Sequence, residues 1–316
     1  MKLLVTRRMT RAAEHALSAR FETTILDREE GLSEAEAAQA MAEYDAIMPT
    51  LGDRFSAGAF SGDPRCRLLA NFGAGFNHID VSAAAGAGIA VTNTPDAVTE
   101  ATADIALTLI LATARRAGEG ERLLRRGEWR GWQPTQLLGR HVTGATVGII
   151  GMGRIGKAIA QRCHFGFGMR VLFHNRSTVS ALDFPARQVA DLEELLTQSD
   201  FAVVAVPGGA GTRHMIGAAE LDKLGPRSFL INIARGDIVQ EAALVQALAG
   251  GRIAGAGLDV YEHEPQVSPD LVAMENVTLL PHLGTAAEEV RTAMAMRAMN
   301  NLIAHDEGRP LPDRVN

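Results

Sequence analysis

The sequence predicts an α/β protein built from two doubly wound parallel-sheet domains, and three observations carry that expectation. Short β-branched runs alternate with longer stretches of helical period along the chain. The runs fall into two series, divided by an apolar helical segment. At 316 residues the chain is long enough for about two domains, each burying its own core.

The first series comprises residues 3–6, 46–48, 68–72 and 89–92, each a short apolar run of the kind a buried parallel strand requires. Between the series, Thr99 opens a helix whose residues 102–116 are apolar on nearly every face, so it is expected to be buried all round and to pack between the domains. The second series comprises 146–150, 170–174, 201–206, 229–233, 255–260 and 277–280. Six strands is the complement of a full doubly wound sheet. The tail, 286–305, returns to helical period, with Met294, Met296, Met299 and Leu302 read as core filler.

Composition excludes several classes. With 47% hydrophobic and 22% charged residues the chain is neither fibrous nor disordered. The 31 basic and 37 acidic side chains give a net charge of −6, and no basic block exceeds a pair such as Arg125–Arg126. Nucleic acid is therefore disfavoured as a partner. No apolar run reaches the ~18 residues of a membrane span, and residues 3–5 are too short for a signal core. Cys66 and Cys163 lie in unrelated contexts, so neither a disulfide framework nor a zinc site is spelled out, and the cytoplasm is the expected compartment.

The most specific local signal is Gly151-Met-Gly153-Arg154-Ile155-Gly156, a G-x-G-x-x-G between a strand and a helix. Gly151 permits the tight turn, Gly153 lets backbone approach a pyrophosphate, and Gly156 lets the helix sit close to the strand. The phosphates then meet free N–H groups at a helix N-terminus. Gly151 to Lys157 also fits the start of an NTPase phosphate loop, but residue 158 is alanine where that loop needs Ser or Thr for Mg²⁺. The next strand ends in His174-Asn175-Arg176-Ser177, where an NAD-specific site would carry an acid on the ribose hydroxyl. Arg176 can instead pair with a 2′-phosphate, with Asn175 and Ser177 as neutral donors, which predicts NADP(H) over NAD(H), the latter as a second cofactor.

The later strands each deliver a distinctive polar group at their carboxyl ends, the edge where ligands bind in such sheets. These are Arg235, then Asp259 with Glu264, then His282. Together they suit reduction of a 2-oxoacid. Arg235 can bind the substrate carboxylate through its planar fork, and His282 can donate a proton to the carbonyl oxygen. Glu264 would orient the ring and favour imidazolium, so reduction should weaken as pH rises. The run Glu262-His263-Glu264 lacks the partner ligands of a zinc site, and no metal is expected.

These residues resemble the D-isomer-specific 2-hydroxyacid dehydrogenases over nearly the whole chain. The resemblance rests on Asn71-Phe-Gly-Ala-Gly-Phe-Asn-His-Ile-Asp80, the glycine turn, Asn232-Ile-Ala-Arg-Gly-Asp237 with Leu258-Asp-Val260, and Glu264-Pro265 ahead of Pro281-His282. It implies a flavodoxin-like substrate domain of residues 1–98 and 286–316, with an NAD(P)-binding Rossmann domain of residues 99–285 inserted. It implies Arg235, Glu264 and His282 as the catalytic trio, and backbone amides at Ala74 and Gly75 sharing the substrate carboxylate with Arg235. Asp259 and the backbone of Ala234 would meet the nicotinamide carboxamide, Val206 and Pro207 would lie along the cofactor, and Arg154, Ile155 and Thr102 complete its binding set. The Glu–His pairing argues against the formate dehydrogenases of the superfamily. With the chain ending soon after His282, the regulatory extension of many phosphoglycerate dehydrogenases is not expected.

Within the family, Asn71 to Gly75, the Asn175-Arg176-Ser177 turn and Trp129-Arg-Gly-Trp132-Gln-Pro134 resemble the glyoxylate and hydroxypyruvate reductases. That branch implies a homodimer in which Trp132 reaches the neighbouring active site and helps bind substrate, the plainer reading being an interface anchor. Reduction of glyoxylate or hydroxypyruvate, giving glycolate or D-glycerate, leads the alternatives. These are a bulkier substrate, such as phenylpyruvate or a branched-chain oxoacid, and a dinucleotide-sensing scaffold that binds proteins.

Overall fold

The computed structural model describes residues 1–316 and divides into two compact units, Met1–Val98 with Thr285–Asn316, and Thr99–Gly284. In the first unit the chain runs β1 (Lys2–Val5), α1 (Arg11–Arg20), β2 (Glu22–Ile25), α2 (Glu34–Glu43), β3 (Ala46–Met48), β4 (Leu68–Ala70), α3 (Val81–Gly86) and β5 (Ala90–Thr92). The strands are all parallel in the order β2-β1-β3-β4-β5, the flavodoxin-like winding. Leu3, Val5, Ile47, Met48, Leu68 and Leu69 have no exposed surface, as expected of strands covered on both faces. Ser33 starts α2 through a capping box with Glu36, each satisfying the other's backbone amide.

The second unit continues with α4 (Thr99–Ala114), α5 (Ala117–Arg125), β6 (Thr146–Ile150), α6 (Arg154–Phe167), β7 (Arg170–His174), β8 (Ala186–Val189) and α7 (Leu192–Thr197). It is completed by β9 (Phe201–Val204), α8 (Ala218–Leu224), β10 (Phe229–Asn232), α9 (Glu241–Ala249), β11 (Gly255–Leu258), α10 (Pro269–Ala273) and β12 (Val277–Leu279). Its parallel sheet has the order β12-β11-β10-β9-β6-β7-β8. The chain leaves the central β6 toward β7 and later returns to β9 on its other side, which creates the switch point between β6 and β9 where a crevice opens. The final helix, α11 (Glu288–Asp306), packs Ala298, Met299 and Leu302 into the core of the first unit beside Leu3, Val5 and Leu68.

Four expectations are corrected. The second sheet has seven strands, not six, because β8 is a short edge strand whose Arg187 and Gln188 break the apolar pattern. Likewise β2, with the polar sequence Glu-Thr-Thr-Ile, is an edge strand that no apolar run announces. Helix α4 is not buried all round: Glu100, Asp104 and Thr108 form an exposed stripe at i, i+4 and i+8, and Arg162 bridges the two acids at 2.7 and 2.9 Å. Met296 is not core, because it stands two positions from the buried Met294 and so points away from it around the helix.

Candidate active site

Register brings the candidate residues to one edge. Asn232 pairs with Leu258 and Leu258 with Leu279, so the last residues of β10, β11 and β12 lie level, and the loops carrying Arg235, Glu264 and His282 emerge side by side. Ile150 is level with Val204, and Val204 with Asn232, which sets the glycine turn on the same edge.

The turn is built as its glycines demand. Gly151 has φ +99°, and a Cβ there would meet the Val206 side chain and the Ala205 carbonyl. A Cβ on Gly156 would lie 2.1 Å from the Gly151 carbonyl oxygen, so only glycine lets α6 start this close to the turn. A Cβ on Gly153 would meet nothing within 4 Å, leaving open space beside the first-turn amides of α6, where Arg154 and Ile155 sit. That combination fits a pyrophosphate. Asn175 accepts from the Met152 amide at 3.2 Å and donates to Ser177 Oγ at 3.2 Å, so these two residues shape the turn after β7, while Arg176 is exposed and makes no ion pair. Beyond β9, Val206 is half-buried and Pro207 exposed, and Thr212 Oγ1 donates to the Pro207 carbonyl at 2.8 Å, closing the glycine-rich loop.

Arg235 is set by its own turn. Asn232 accepts from the Ala234 amide at 3.1 Å and donates to the Arg235 carbonyl at 2.9 Å, while Arg235 Nη1 reaches the Ala234 carbonyl at 2.6 Å. A Cβ on Gly236 would lie within 2 Å of the Tyr261 carbonyl group, so glycine is what lets this turn press against the loop that bears Glu264. Burial pulls the Arg235 guanidinium below its ordinary pKa, and the charges of Glu264 and Asp237 oppose that pull. A guanidinium titrates so high that it stays charged.

Glu264 uses both oxygens. Oε1 accepts from the Tyr261 amide at 3.0 Å and Oε2 meets His282 Nδ1 at 2.9 Å. Partial burial pushes the Glu264 carboxyl up, but the bond to His282, the Tyr261 amide and the Arg235 charge outweigh it and hold the group below its ordinary value. With Nδ1–H donating to the carboxylate, Nε2 is the ring atom left to hand over a proton.

Asp259 emerges as the residue that shapes the histidine loop. His282 has φ +55°, a left-handed conformation uncommon for any residue but glycine. Three successive amides are tied to Asp259: His282 N–H to its carbonyl at 3.0 Å, and Leu283 and Gly284 N–H to its two carboxylate oxygens at 2.6 and 2.8 Å. Thr102 Oγ1 adds a bond to the Gly284 carbonyl at 3.3 Å. Burial raises the Asp259 carboxyl above its ordinary value despite those donors. The sequence offered its place after a strand and, through the resemblance, a contact with the nicotinamide carboxamide, but not this hold on the histidine loop.

A second His–carboxylate pair escaped the sequence reading. Glu262 turns away from Glu264 and meets His214 Nε2 at 2.6 Å, joining the loop after β9 to the loop after β11. Glu262 and Glu264 therefore serve different histidines, and no group of His, Cys, Asp and Glu in the structure has metal-binding geometry. Trp132 is 80% exposed, while Trp129 Nε1 donates to Gln136 at 3.2 Å. Ala74 and Gly75 lie in the first unit, in the loop after β4.

A phosphate-ready glycine turn at a sheet switch point, level with an imidazole backed by a carboxylate and a guanidinium, defines a dinucleotide-dependent oxidoreductase. The chain belongs to the D-isomer specific 2-hydroxyacid dehydrogenases, whose NAD-binding domain model matches residues 107–284. It is 42% identical to a glyoxylate reductase from Thermococcus gammatolerans over 100% of this chain and 96% of that protein. It is 41% identical to a glyoxylate reductase from Pyrococcus furiosus over 100% and 95%. Among solved structures, an NADPH-dependent glyoxylate/hydroxypyruvate reductase from Sinorhizobium meliloti in complex with NADP and malonate superposes with a TM-score of 0.89 at 38% identity, covering 99% of this chain and 96% of that one. No helix is long and apolar enough to cross a membrane.

Proposed function

We propose that this chain reduces small 2-oxoacids, glyoxylate foremost and hydroxypyruvate as a second substrate, with NADPH preferred over NADH. The observation that carries this reading is the His282–Glu264 bond of 2.9 Å beside Arg235, at the sheet edge that also holds the glycine turn. The reduced nicotinamide, when bound, supplies the hydride. His282 Nε2 gives its proton to the carbonyl oxygen, and Glu264 steadies the imidazolium that gives it. Arg235 holds the substrate carboxylate, and the amides of Ala74 and Gly75 are proposed carboxylate donors. The relatives named glyoxylate reductase support the substrate class. Gly151, Gly153 and Gly156 cradle the pyrophosphate with the amides of Arg154 and Ile155, while Val206, Pro207 and the Ala234 backbone border the dinucleotide. Asp259 and Thr102 are assigned to the nicotinamide end.

The cofactor preference is supported by the exposed, unpaired Arg176 and the absence of an acid in its turn. The test is oxidation of NADPH, and separately NADH, with glyoxylate, hydroxypyruvate, pyruvate and phenylpyruvate, compared as kcat/KM. Small oxoacids with NADPH should lead. Arg176→Asp should lower kcat/KM for NADPH about 10- to 100-fold, through the lost charge-assisted bonds to the 2′-phosphate, while NADH improves. Equal NADPH use by this variant would sink the assignment.

We also propose a homodimer working in the cytoplasm, with Trp132 at the interface. Support comes from four exposed large apolar side chains within fifteen residues: Leu124 at 59%, Trp129 at 51%, Trp132 at 80% and Leu138 at 65%. Sedimentation should give a dimer, and Trp132→Ala should weaken it or raise KM for glyoxylate. A monomeric parent protein would refute this.

A further inference from the structure

The loop after β9 is weakly held by its own residues. Gly208, Gly209 and Gly211 fall within four positions, and a Cβ on Gly209 or Gly211 would meet nothing within 4 Å. Glycine loses more conformational freedom on ordering than any other residue. Within the loop, Thr212 Oγ1 donates to the carbonyls of Pro207 and Gly209 at 2.8 and 3.2 Å, and the Thr212 and Arg213 amides donate to that of Gly209 at 3.0 and 3.1 Å. These bonds fold the loop on itself and fasten it to no neighbour. Yet it starts beside the glycine turn: the Ala205 amide donates to the Ile150 carbonyl at 2.8 Å, and Val206 Cγ1 lies 2.7 Å from where a Cβ on Gly151 would stand.

His214 supplies the outside anchor. It has φ +52°, its amide donates to the Asp237 carbonyl in the turn after Arg235 at 2.7 Å, and its ring Nε2 meets Glu262 Oε1 at 2.6 Å. Arg213 Nη2 lies 3.7 Å from the same oxygen. Glu262 is itself fixed to the start of α9. Its Oε2 accepts from the Glu241 amide at 3.1 Å, and its own amide donates to Glu241 Oε2 at 3.2 Å. Burial pushes the Glu262 carboxyl up, but the bond to His214, the Glu241 amide and the charges of His214 and His263 outweigh it and hold the group below its ordinary value. The carboxylate is therefore charged at neutral pH, and its bond to the ring is charge-assisted. Past the loop, Ile216 donates to the Ile238 carbonyl at 3.0 Å and accepts from the Gln240 amide at 2.9 Å, so that stretch is tethered without the ring. What the ring adds is a hold on the glycine-rich residues ahead of it.

We propose that His214 and Glu262 are positioning residues: the pair braces the loop after β9 in the conformation that borders the dinucleotide, so the loop is ordered before the dinucleotide arrives and its entropy loss does not weaken binding. This rests on the place proposed above for Val206 and Pro207 along the cofactor, and extends it to two residues that act through the loop. Loss of the brace weakens the dinucleotide and leaves the proton donor in place.

The experiment compares the parent protein with His214→Asn, His214→Gln, Glu262→Ala and the double variant His214→Asn with Glu262→Ala. Asparagine tolerates the left-handed backbone and is too short to reach Glu262, whereas glutamine has the length to offer a donor again. The readouts are the NADPH dissociation constant by fluorescence titration, hydrogen exchange of the bonded amides Thr212 to His214 without dinucleotide, and steady-state kinetics with glyoxylate. His214→Asn should weaken NADPH about tenfold, as expected for one lost charge-assisted bond, and speed exchange in the loop by a similar factor. KM for NADPH should rise in step while kcat stays within about twofold. His214→Gln should recover most of the loss, and the double variant should bind NADPH no worse than Glu262→Ala alone, because the two residues act as one unit. A general loosening of the fold would instead speed exchange in β9 and β10 as well. Unchanged NADPH affinity and loop exchange in His214→Asn overturn the inference, as do additive losses in the double variant or a fall in kcat with affinity unmoved. Should Glu262→Ala fail to fold, His214→Asn and His214→Gln decide by affinity and exchange. A parent protein that binds NADPH but turns over no 2-oxoacid brings down the proposed substrate alone, and the same two readouts still decide the brace.

Discussion

Replacing His282 by Asn should lower kcat for glyoxylate reduction about 10²- to 10⁴-fold, the usual contribution of a positioned proton donor. Asparagine is the suitable substitute because it tolerates the left-handed backbone that φ +55° imposes, and because the loop is anchored through backbone amides to Asp259 rather than through the ring. Dinucleotide affinity, measured by fluorescence titration, should stay within about twofold, since the ring binds no part of the glycine turn. Lost dinucleotide binding in this variant would place the site elsewhere. The pH dependence has a definite sign. Reduction consumes a proton, so the rate falls as pH rises, and oxidation of the hydroxyacid, which releases one, follows the opposite course. On the acid side Glu264 sets the limit. Its carboxyl is held below the ordinary 4.5, so it keeps its charge, and the ring keeps its partner, as pH falls through the usual carboxylate range. The stability this carboxylate contributes is present above its unfolded-state value and is lost only as pH drops through the depressed one. Glu264→Gln should therefore remove that acid limb and lower the reduction rate at every pH.

Arg235→Gln should reduce kcat/KM for glyoxylate about 10³-fold, by loss of two charge-assisted bonds to a carboxylate in a half-buried setting. Arg235→Lys should recover only part of this, because an ammonium cannot present two parallel donors. Steady-state kinetics with glyoxylate and with its methyl ester check the cause, since the ester lacks the charge and should lose far less in both variants. Comparable losses for acid and ester would mean that Arg235 acts on the carbonyl or holds the loop, not the carboxylate. The guanidinium also contributes charge at Glu264, so the Gln variant should let the Glu264 carboxyl rise, visible as an acid limb shifted to higher pH.

How much of this was legible beforehand follows from which physical signals are local. The central strands announced themselves because both faces of a parallel sheet are buried, so Thr146–Ile150, Phe201–Val204 and Phe229–Asn232 read as continuous apolar runs. The edge strands β2 and β8 did not, since a strand with one free edge tolerates Thr, Arg and Gln, and only pairing reveals it. The glycine turn was legible because its steric demands fall on consecutive residues. The pairing of His282 with Glu264 was anticipated from strand-end position, whereas the pairing of His214 with Glu262, 48 residues apart, had no signal in the chain.

The class of fold, the glycine turn and the kinds of side chain that follow each strand could be read along the chain, because hydrophobic period and backbone sterics act over a few residues. Which of those side chains meet follows only from the folded chain. Asp259 holding three amides of the histidine loop and Gly236 admitting Tyr261 both depend on distances fixed by strand register. A hydrogen bond is decided within a few tenths of an ångström, and no spacing along a chain specifies distance on that scale.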